Sequence, residues 1–315
     1  MRAITYDRFG GTDVLELTDL PTPKVGPDSV LVRVRASSVN PVDWKVREGY
    51  LAEILDTVFP VVPGWDVAGV VEKVGLDTPE FKVGDEVFGY VRKDVVGGEV
   101  AGGTFAEFVT APVRTLAHKP AGWSFEEAAA APLAGLTAYQ TIRRAGVQSG
   151  QTVLIHAAAG GVGSFAVQIA RSLGARVIGT ASEDNHDYLR ALGAEPITYG
   201  DGLADRVRAL APEGVDVVLD YVGGETLDSV PAVLRDGGTV ASITDARARD
   251  EFGGQYVWVR PDAADLAELA RLGDAGDLTP EIAEVFDLED AAGAHERSQS
   301  GHVRGKVVVR VSSEN

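Results

Sequence analysis

Val30, Val32 and Val34 alternate with Leu31, Arg33 and Arg35, and this period of two predicts a half-buried strand from Val30 to Ala36. Further strands are predicted at Val67 to Val74, Glu86 to Tyr90 and Phe105 to Thr110. Gly64, Gly75, Gly84-Asp85 and Gly102-Gly103 separate them. Up to about residue 120 the chain therefore reads as a domain of short strands broken by Gly and Pro.

The pattern changes at Ser124, which stands three residues before Glu127 and ahead of an Ala-rich run, as a capping box would. From Gln151 onward the order is strand, Gly-rich turn and helix, repeated. Thr152 to His156 is a strand, a helix carrying Phe165, Ile169 and Leu173 ends at Gly174, and Arg176 to Thr180 is the next strand. Later strands are expected at Pro196 to Tyr199, Val215 to Asp220, Thr239 to Ile243 and Gln255 to Val259. Such alternation predicts an α/β fold with a parallel, doubly wound Rossmann sheet and right-handed crossovers. After a helix at Ala263 to Leu272, alternation returns over Gly305 to Val311, a segment expected to rejoin the first sheet. The β-rich domain would then be discontinuous, over 1–120 and 278–315, with the Rossmann domain at 121–277.

Length and composition narrow the function classes. With 315 residues, 45% of them hydrophobic, the chain can bury the cores of two domains. A formal net charge of −18 argues against a nucleic-acid or anionic-membrane surface. The absence of Cys excludes disulfides, thiol nucleophiles and thiolate metal sites together. No apolar stretch approaches the roughly 18 residues of a membrane helix, and the strand-like opening Met1-Arg2-Ala3-Ile4 is unlike a signal peptide, so a cytoplasmic protein is expected.

The strongest chemical signal is His156-Ala157-Ala158-Ala159-Gly160-Gly161-Val162-Gly163, placed after an apolar strand and before an amphipathic helix. Gly160 and Gly161 would let a pyrophosphate approach the backbone, Gly163 would allow close helix packing, and Val162 would lie in the amide-rich first turn. Ala158 stands where the first Gly of the dinucleotide fingerprint would be, and a purely structural turn is the alternative. The second strand ends in Gly179-Thr180-Ala181-Ser182 rather than in an acid. Ser182 could donate to a 2′-phosphate that a carboxylate would repel, which favours NADPH over NADH, although Glu183 and Asp184 follow. Arg304 could also reach the phosphate or form a surface ion pair.

Ala157 to Gly163 followed by Gln168 resembles the quinone oxidoreductase branch of the medium-chain dehydrogenase/reductase superfamily, zeta-crystallin included. So do Gly64-Trp65-Asp66-Val67-Ala68-Gly69-Val70-Val71, Gly84-Asp85-Glu86-Val87, Pro132 to Thr137, Asp220 to Gly224 and Gly301 to Val307. The resemblance covers essentially the whole chain in order. It implies a GroES-like catalytic domain joined to the Rossmann domain, with the active site in a cleft between them. Trp65 occupies the place of the zinc-ligating His of the alcohol dehydrogenase branch, and tryptophan offers no ligand lone pair. With Cys absent as well, a zinc site of the usual N/S composition cannot form.

By the same resemblance, Ser38 to Tyr50 is the loop beside nicotinamide. Asn40 would bond near the nicotinamide ribose or the acceptor oxygen, and Asp43 and Arg47 would orient the loop. The alternative for Asn40 is to satisfy local backbone groups. Lys45 could polarise a carbonyl or be solvated, while Tyr50 and Tyr90 could donate a proton or line the cleft. Thr137 would reach nicotinamide, Tyr199 would lie near the 2′-phosphate, and backbone groups of Val222, Gly223 and Ser242 would hold the carboxamide. His118, His186, His295 and His302 show no metal spacing, and His156 is read as structural. These features imply hydride transfer from NADPH to a small quinone or α,β-unsaturated carbonyl without zinc, by a homodimer. An NADPH-binding structural or regulatory protein with little turnover is the alternative. Variable loops such as Lys93 to Gly103 would shape the acceptor pocket.

Overall fold

A computed structural model describes residues 1–98, 102–301 and 303–312. Residues 99–101 of the Lys93 to Gly103 loop and His302 of the C-terminal landmark lie outside the described residues. In chain order the first elements are β1 (Arg2–Thr5), β2 (Glu16–Asp19), β3 (Ser29–Val39), α1 (Pro41–Arg47), β4 (Asp56–Val58), β5 (Asp66–Val74), β6 (Glu86–Tyr90), β7 (Val95–Gly97), β8 (Phe108–Pro112) and β9 (Leu116–His118). There follow α2 (Phe125–Ala130), α3 (Pro132–Ala145), β10 (Thr152–Ile155), α4 (Gly161–Ser172), β11 (Arg176–Thr180), α5 (His186–Ala191), β12 (Glu195–Ile197), α6 (Leu203–Leu210) and β13 (Val215–Asp220). The last are α7 (Glu225–Asp228), α8 (Val230–Val233), β14 (Leu234–Ser242), α9 (Arg247–Asp250), β15 (Gln255–Tyr256), α10 (Ala263–Asp274), β16 (Ile282–Asp287), α11 (Ala291–Gln299) and β17 (Lys306–Arg310).

The chain divides into two compact units, 1–133 with 261–275 and 280–315, and 134–260 with 276–279. In the first unit a seven-stranded sheet runs β16-β17-β3-β5-β6-β9, with β8 also on β3. β17 pairs antiparallel with β3, Val307 opposite Val39, so the far end of the chain completes the sheet begun near its start. Val30, Val32, Val34, Val67, Val71, Val109, Val307 and Val309 form its core. Past Ala36, β3 is buried on both faces, which ends the alternation seen at its start. The predicted strand at Phe105 begins only at Phe108, because Thr104 and Phe105 donate their amides to Gly64 and Pro63 instead. Gly103 allows that approach, since a Cβ there would stand 1.9 Å from the Val62 carbonyl oxygen.

Residues 121–133 and 261–275 fall with the β-rich unit rather than with the nucleotide-type unit. Their reasons are local: α2, capped by Ser124 and Glu127 in a reciprocal capping box, packs on β3 and β5, and Trp123 lies against Gly273.

The second unit is a six-stranded sheet in the order β12-β11-β10-β13-β14-β15, every pair parallel. The order reverses between β10 and β13, and in such sheets ligands bind at the strand carboxyl ends flanking that switch. The strand expected over Gln255 to Val259 stops at Tyr256. Beyond it, the Gln140 carboxamide takes the place of a strand partner by pairing with both backbone groups of Arg260.

Candidate functional site

Helix α4 starts without a side-chain cap, Gly160 standing at the N-cap. Ser164 is the first residue to donate back into the helix, and the amides of Gly161 and Val162, both partly exposed, meet no acceptor among the described residues. These two donors, with the positive end of the helix dipole, fit a pyrophosphate. A Cβ at Gly163 would meet the Ala157 carbonyl oxygen at 2.1 Å, so this glycine is fixed by helix-to-turn contact. Gly160 has φ −77°, and the turn residue that adopts left-handed backbone is Ala157, at φ 51°. A non-glycine residue there costs about 1 kcal/mol or more, which marks the turn as conformationally specified. Ala158 is buried and donates its amide to Thr180.

Ser182 follows β11, and Tyr199 follows the neighbouring β12. Ser182 Oγ accepts from Asn185 Nδ2 at 3.0 Å, which leaves its hydroxyl hydrogen to donate, and the Tyr199 side chain is 59% exposed. Arg206 went unnoticed in the sequence. Its guanidinium donates to the carbonyls of Thr198, Tyr199, Gly200 and Asp201 and so ties down the loop that carries Tyr199. The signal was legible: a Gly-rich loop whose carbonyls need donors, followed by an Arg at helical reach.

At the carboxyl end of β13 the backbone amides are already engaged. The amides of Val222 and Gly223 donate to the buried Asp220 carboxylate, as do Thr226 Oγ1 at 2.7 Å and Ser242 Oγ at 2.6 Å. Backbone N–H groups of Val222 and Gly223 are thus committed within the protein, and what they can still offer a carboxamide is their carbonyl oxygens, that of Gly223 already accepting from Thr226 Oγ1 at 2.9 Å. Thr137 is buried within α3, and its carbonyl accepts from Thr141 Oγ1. His156 is buried at the end of β10, and burial holds its imidazole below its ordinary pKa, hence neutral.

In the β-rich unit Asn40 and Asp43 are brought together, but inside the protein. Asn40, 1% exposed, donates Nδ2 to Asp66 Oδ2 at 2.8 Å and accepts from Lys306 Nζ at Oδ1. Asp43 accepts the Asn40 amide at 2.7 Å and caps α1. Burial pushes the Asp43 carboxyl up to about 7, with the Asp66 charge adding to the rise. Gly64, at φ 89°, contributes a further backbone hydrogen bond to Asp43, and a Cβ there would collide with Phe105. Lys45 and Tyr50 do not join this group: Lys45 Nζ lies over the Trp44 ring at 5.5 Å, and Tyr50 is 69% exposed. Tyr90 is buried beside Trp65, the residue in the position of the zinc-binding His. Arg47 is fully buried and donates to Gly10, His295, Glu48 and Gln299, which anchors the end of α1. Of the two fates open to Arg304, the structure has the surface ion pair, with Glu281 at 2.9 Å.

Residues 26–121 match the alcohol dehydrogenase GroES-like domain, and residues 192–309 match the family described as zinc-binding dehydrogenase. A 2-methylene-furan-3-one reductase of Solanum lycopersicum is 38% identical over 78% of this chain and 63% of its own length. A chloroplastic NADPH-dependent alkenal/one oxidoreductase of Arabidopsis thaliana is 37% identical over 78% of this chain and 63% of its own. The chain thus spans less than two thirds of these two relatives. The quinone oxidoreductase from Coxiella burnetii superposes with a TM-score of 0.86 at 37% identity, covering 99% of each chain. Sheet order, glycine turn and completed β-rich sheet together define a medium-chain dehydrogenase/reductase. Within that superfamily the chain belongs to the zinc-independent quinone-oxidoreductase branch, which includes zeta-crystallin. The zinc in the matched family's description finds no counterpart in the donor set, since the chain has Trp65 at the ligand position and no Cys.

Proposed function

We propose that the protein reduces small quinones or α,β-unsaturated carbonyls with NADPH. The observation that carries this reading is the uncapped start of α4 with its free amides, set beside a second strand that ends in Ser182 instead of an acid. Gly160, Gly161, Val162 and Gly163 would cradle the pyrophosphate, with Ala158 shaping the turn. Ser182 and Tyr199 would face the 2′-phosphate, with Arg206 holding the Tyr199 loop. Thr137, Ser242 and the carbonyls of Val222 and Gly223 would orient the nicotinamide end. When bound, the cofactor supplies the hydride. The chain's own part is to bind and orient it and to stabilise negative charge on the acceptor oxygen.

Asn40 and Asp43 enter this reading as residues that fix the course of α1, since their polar atoms are already engaged. Lys45 and Tyr50, on the same segment and reachable by solvent, are the groups proposed to meet the acceptor. A cytoplasmic homodimer accords with the family resemblance, and among the described residues no helix is long and apolar enough to cross a membrane. The decisive experiment follows absorbance of the reduced cofactor with a panel of quinones and enones, alongside equilibrium titration with NADPH. Binding with no turnover on any acceptor would replace the reductase by an NADPH-binding protein.

A further inference from the structure

A buried group of titratable side chains lies in the β-rich unit and joins three parts of its sequence. Asp43 comes from α1, Asp66 from β5 and Lys306 from β17, and all three are buried. Lys306 Nζ donates to the Val39 carbonyl at 3.0 Å and to Asn40 Oδ1 at 2.5 Å, and it stands 3.9 Å from Asp66 Oδ2. Asp66 also accepts from Ser38 Oγ at 2.6 Å, from Asn40 Nδ2 and from the Leu133 amide. The Asn40 carboxamide is therefore held between the Lys306 nitrogen on its oxygen and an Asp66 oxygen on its nitrogen; burial lowers the Lys306 pKa and raises that of Asp66, and the attraction between the two opposes both shifts. Turning it over would set NH2 against ammonium and oxygen against carboxylate, two repulsive contacts where there are now two attractive ones.

We propose that Lys306 is a positioning residue for the loop that carries Asn40 and α1: it fixes the Asn40 carboxamide and balances the Asp66 charge, so that α1 starts in one defined place. The proposal rests on the reductase reading only in taking this loop for the one beside the acceptor. A lysine this deeply buried requires compensation, and its partners are the acceptors of that loop and one carboxylate. The ionisable groups facing Asp43 and Asp66 are Lys306, Tyr6 and Tyr90, with Arg47 near Tyr6 and Arg92 near Tyr90. Without Lys306 the two carboxylates share one enclosed region with no ammonium between them, and one of them must hold a proton to higher pH.

The test compares Lys306→Met, Lys306→Arg and the double change Lys306→Met with Asp66→Asn, which restores charge balance if the single change folds poorly. Readouts are NADPH affinity, kcat and acceptor KM across pH, and amide hydrogen exchange over residues 40–47. For Lys306→Met we expect NADPH affinity within about twofold of the parent and kcat reduced about tenfold or more. The acid limb of its pH profile should move up by about one unit, and exchange in α1 should be faster. Lys306→Arg should recover part of kcat, and the double variant should recover stability without recovering kcat or α1 protection. Parent-like kcat, pH profile and α1 exchange in a folded Lys306→Met protein would overturn the proposal, as would a double variant that regains full activity. If the parent itself turns over no acceptor, the reductase reading fails, and α1 exchange alone then decides the role of Lys306.

Discussion

Asp220 in the nucleotide-type unit and Asp66 in the β-rich unit are both fully buried, yet they are held in opposite ways. Asp220 is enclosed by neutral donors, three of them within six residues: the Val222 and Gly223 amides and the Thr226 hydroxyl, joined by Ser242 from the next strand. Asp66 draws its donors from 28, 26 and 67 residues away and needs the Lys306 ammonium as well. The first arrangement is a backbone turn folded onto a carboxylate. The second is a cross-link of distant strands by charge. A neutral cage makes a fixed scaffold, suited to shaping a cofactor turn, whereas a compensated charge cluster responds to pH and to the loss of any one member.

The largest expected effect comes from opening the neutral cage. Asp220→Ala leaves the Val222 and Gly223 amides without their acceptor, takes from the Thr226 and Ser242 hydroxyls their shortest partner, and should cost on the order of 3 kcal/mol or more in urea unfolding. Asp220→Asn, which keeps one oxygen acceptor, should cost less. If both variants unfold at the parent's urea concentration, the cage is ornamental and the contrast with Asp66 disappears.

A smaller effect is expected from the charged cluster, and its sign follows from Asp43. Its carboxyl stands at about 7 against an ordinary 3.8, so between those values the folded protein keeps a proton that the unfolded chain releases. The contribution of this group to stability is full below about pH 4 and is lost as pH rises towards about 7. An Asp43→Asn variant has no such proton. The parent should therefore lose ground to it, by up to a few kcal/mol, as pH rises from about 4 to about 7, with no further change above. Unfolding curves of both proteins across that range measure it, and a gap that stays constant would show Asp43 ionised throughout.

The smallest effect concerns the proposed nucleotide pocket alone. Ser182→Asp places a carboxylate at the proposed 2′-phosphate position and should weaken NADPH binding about tenfold while leaving NADH little changed. Titration of both nucleotides checks it. Unaltered NADPH affinity would remove Ser182 from the pocket.

How legible each region was follows from the range of its contacts. The strand–turn–helix run from Thr152 to Leu173 and the strands Glu86–Tyr90, Arg176–Thr180 and Val215–Asp220 depend on periodicity and turn residues within a short window, and the structure has them at or near the same bounds. The Ser124–Glu127 capping box is equally local. Other features were not readable in this way. Asp66 and Lys306 stood inside recognised segments with no role of their own, because their meaning lies in a pairing 240 residues apart. A lysine at the head of the apolar run Val307–Val309 was the one hint, since a cation there has to find a partner.

Legible from residue order were the strand–helix alternation that begins at Thr152, the glycine turn at the start of α4, the return of the C-terminal strand to the first sheet and the absence of any thiolate ligand. Each of these follows from residue type and near-neighbour spacing. The tertiary structure alone decided that Asn40 and Asp43 face inward, that the Val222 and Gly223 amides serve Asp220, and that Arg304 pairs with Glu281. A polar side chain takes the partner that folding brings within hydrogen-bond distance, and spacing along the chain does not record that partner.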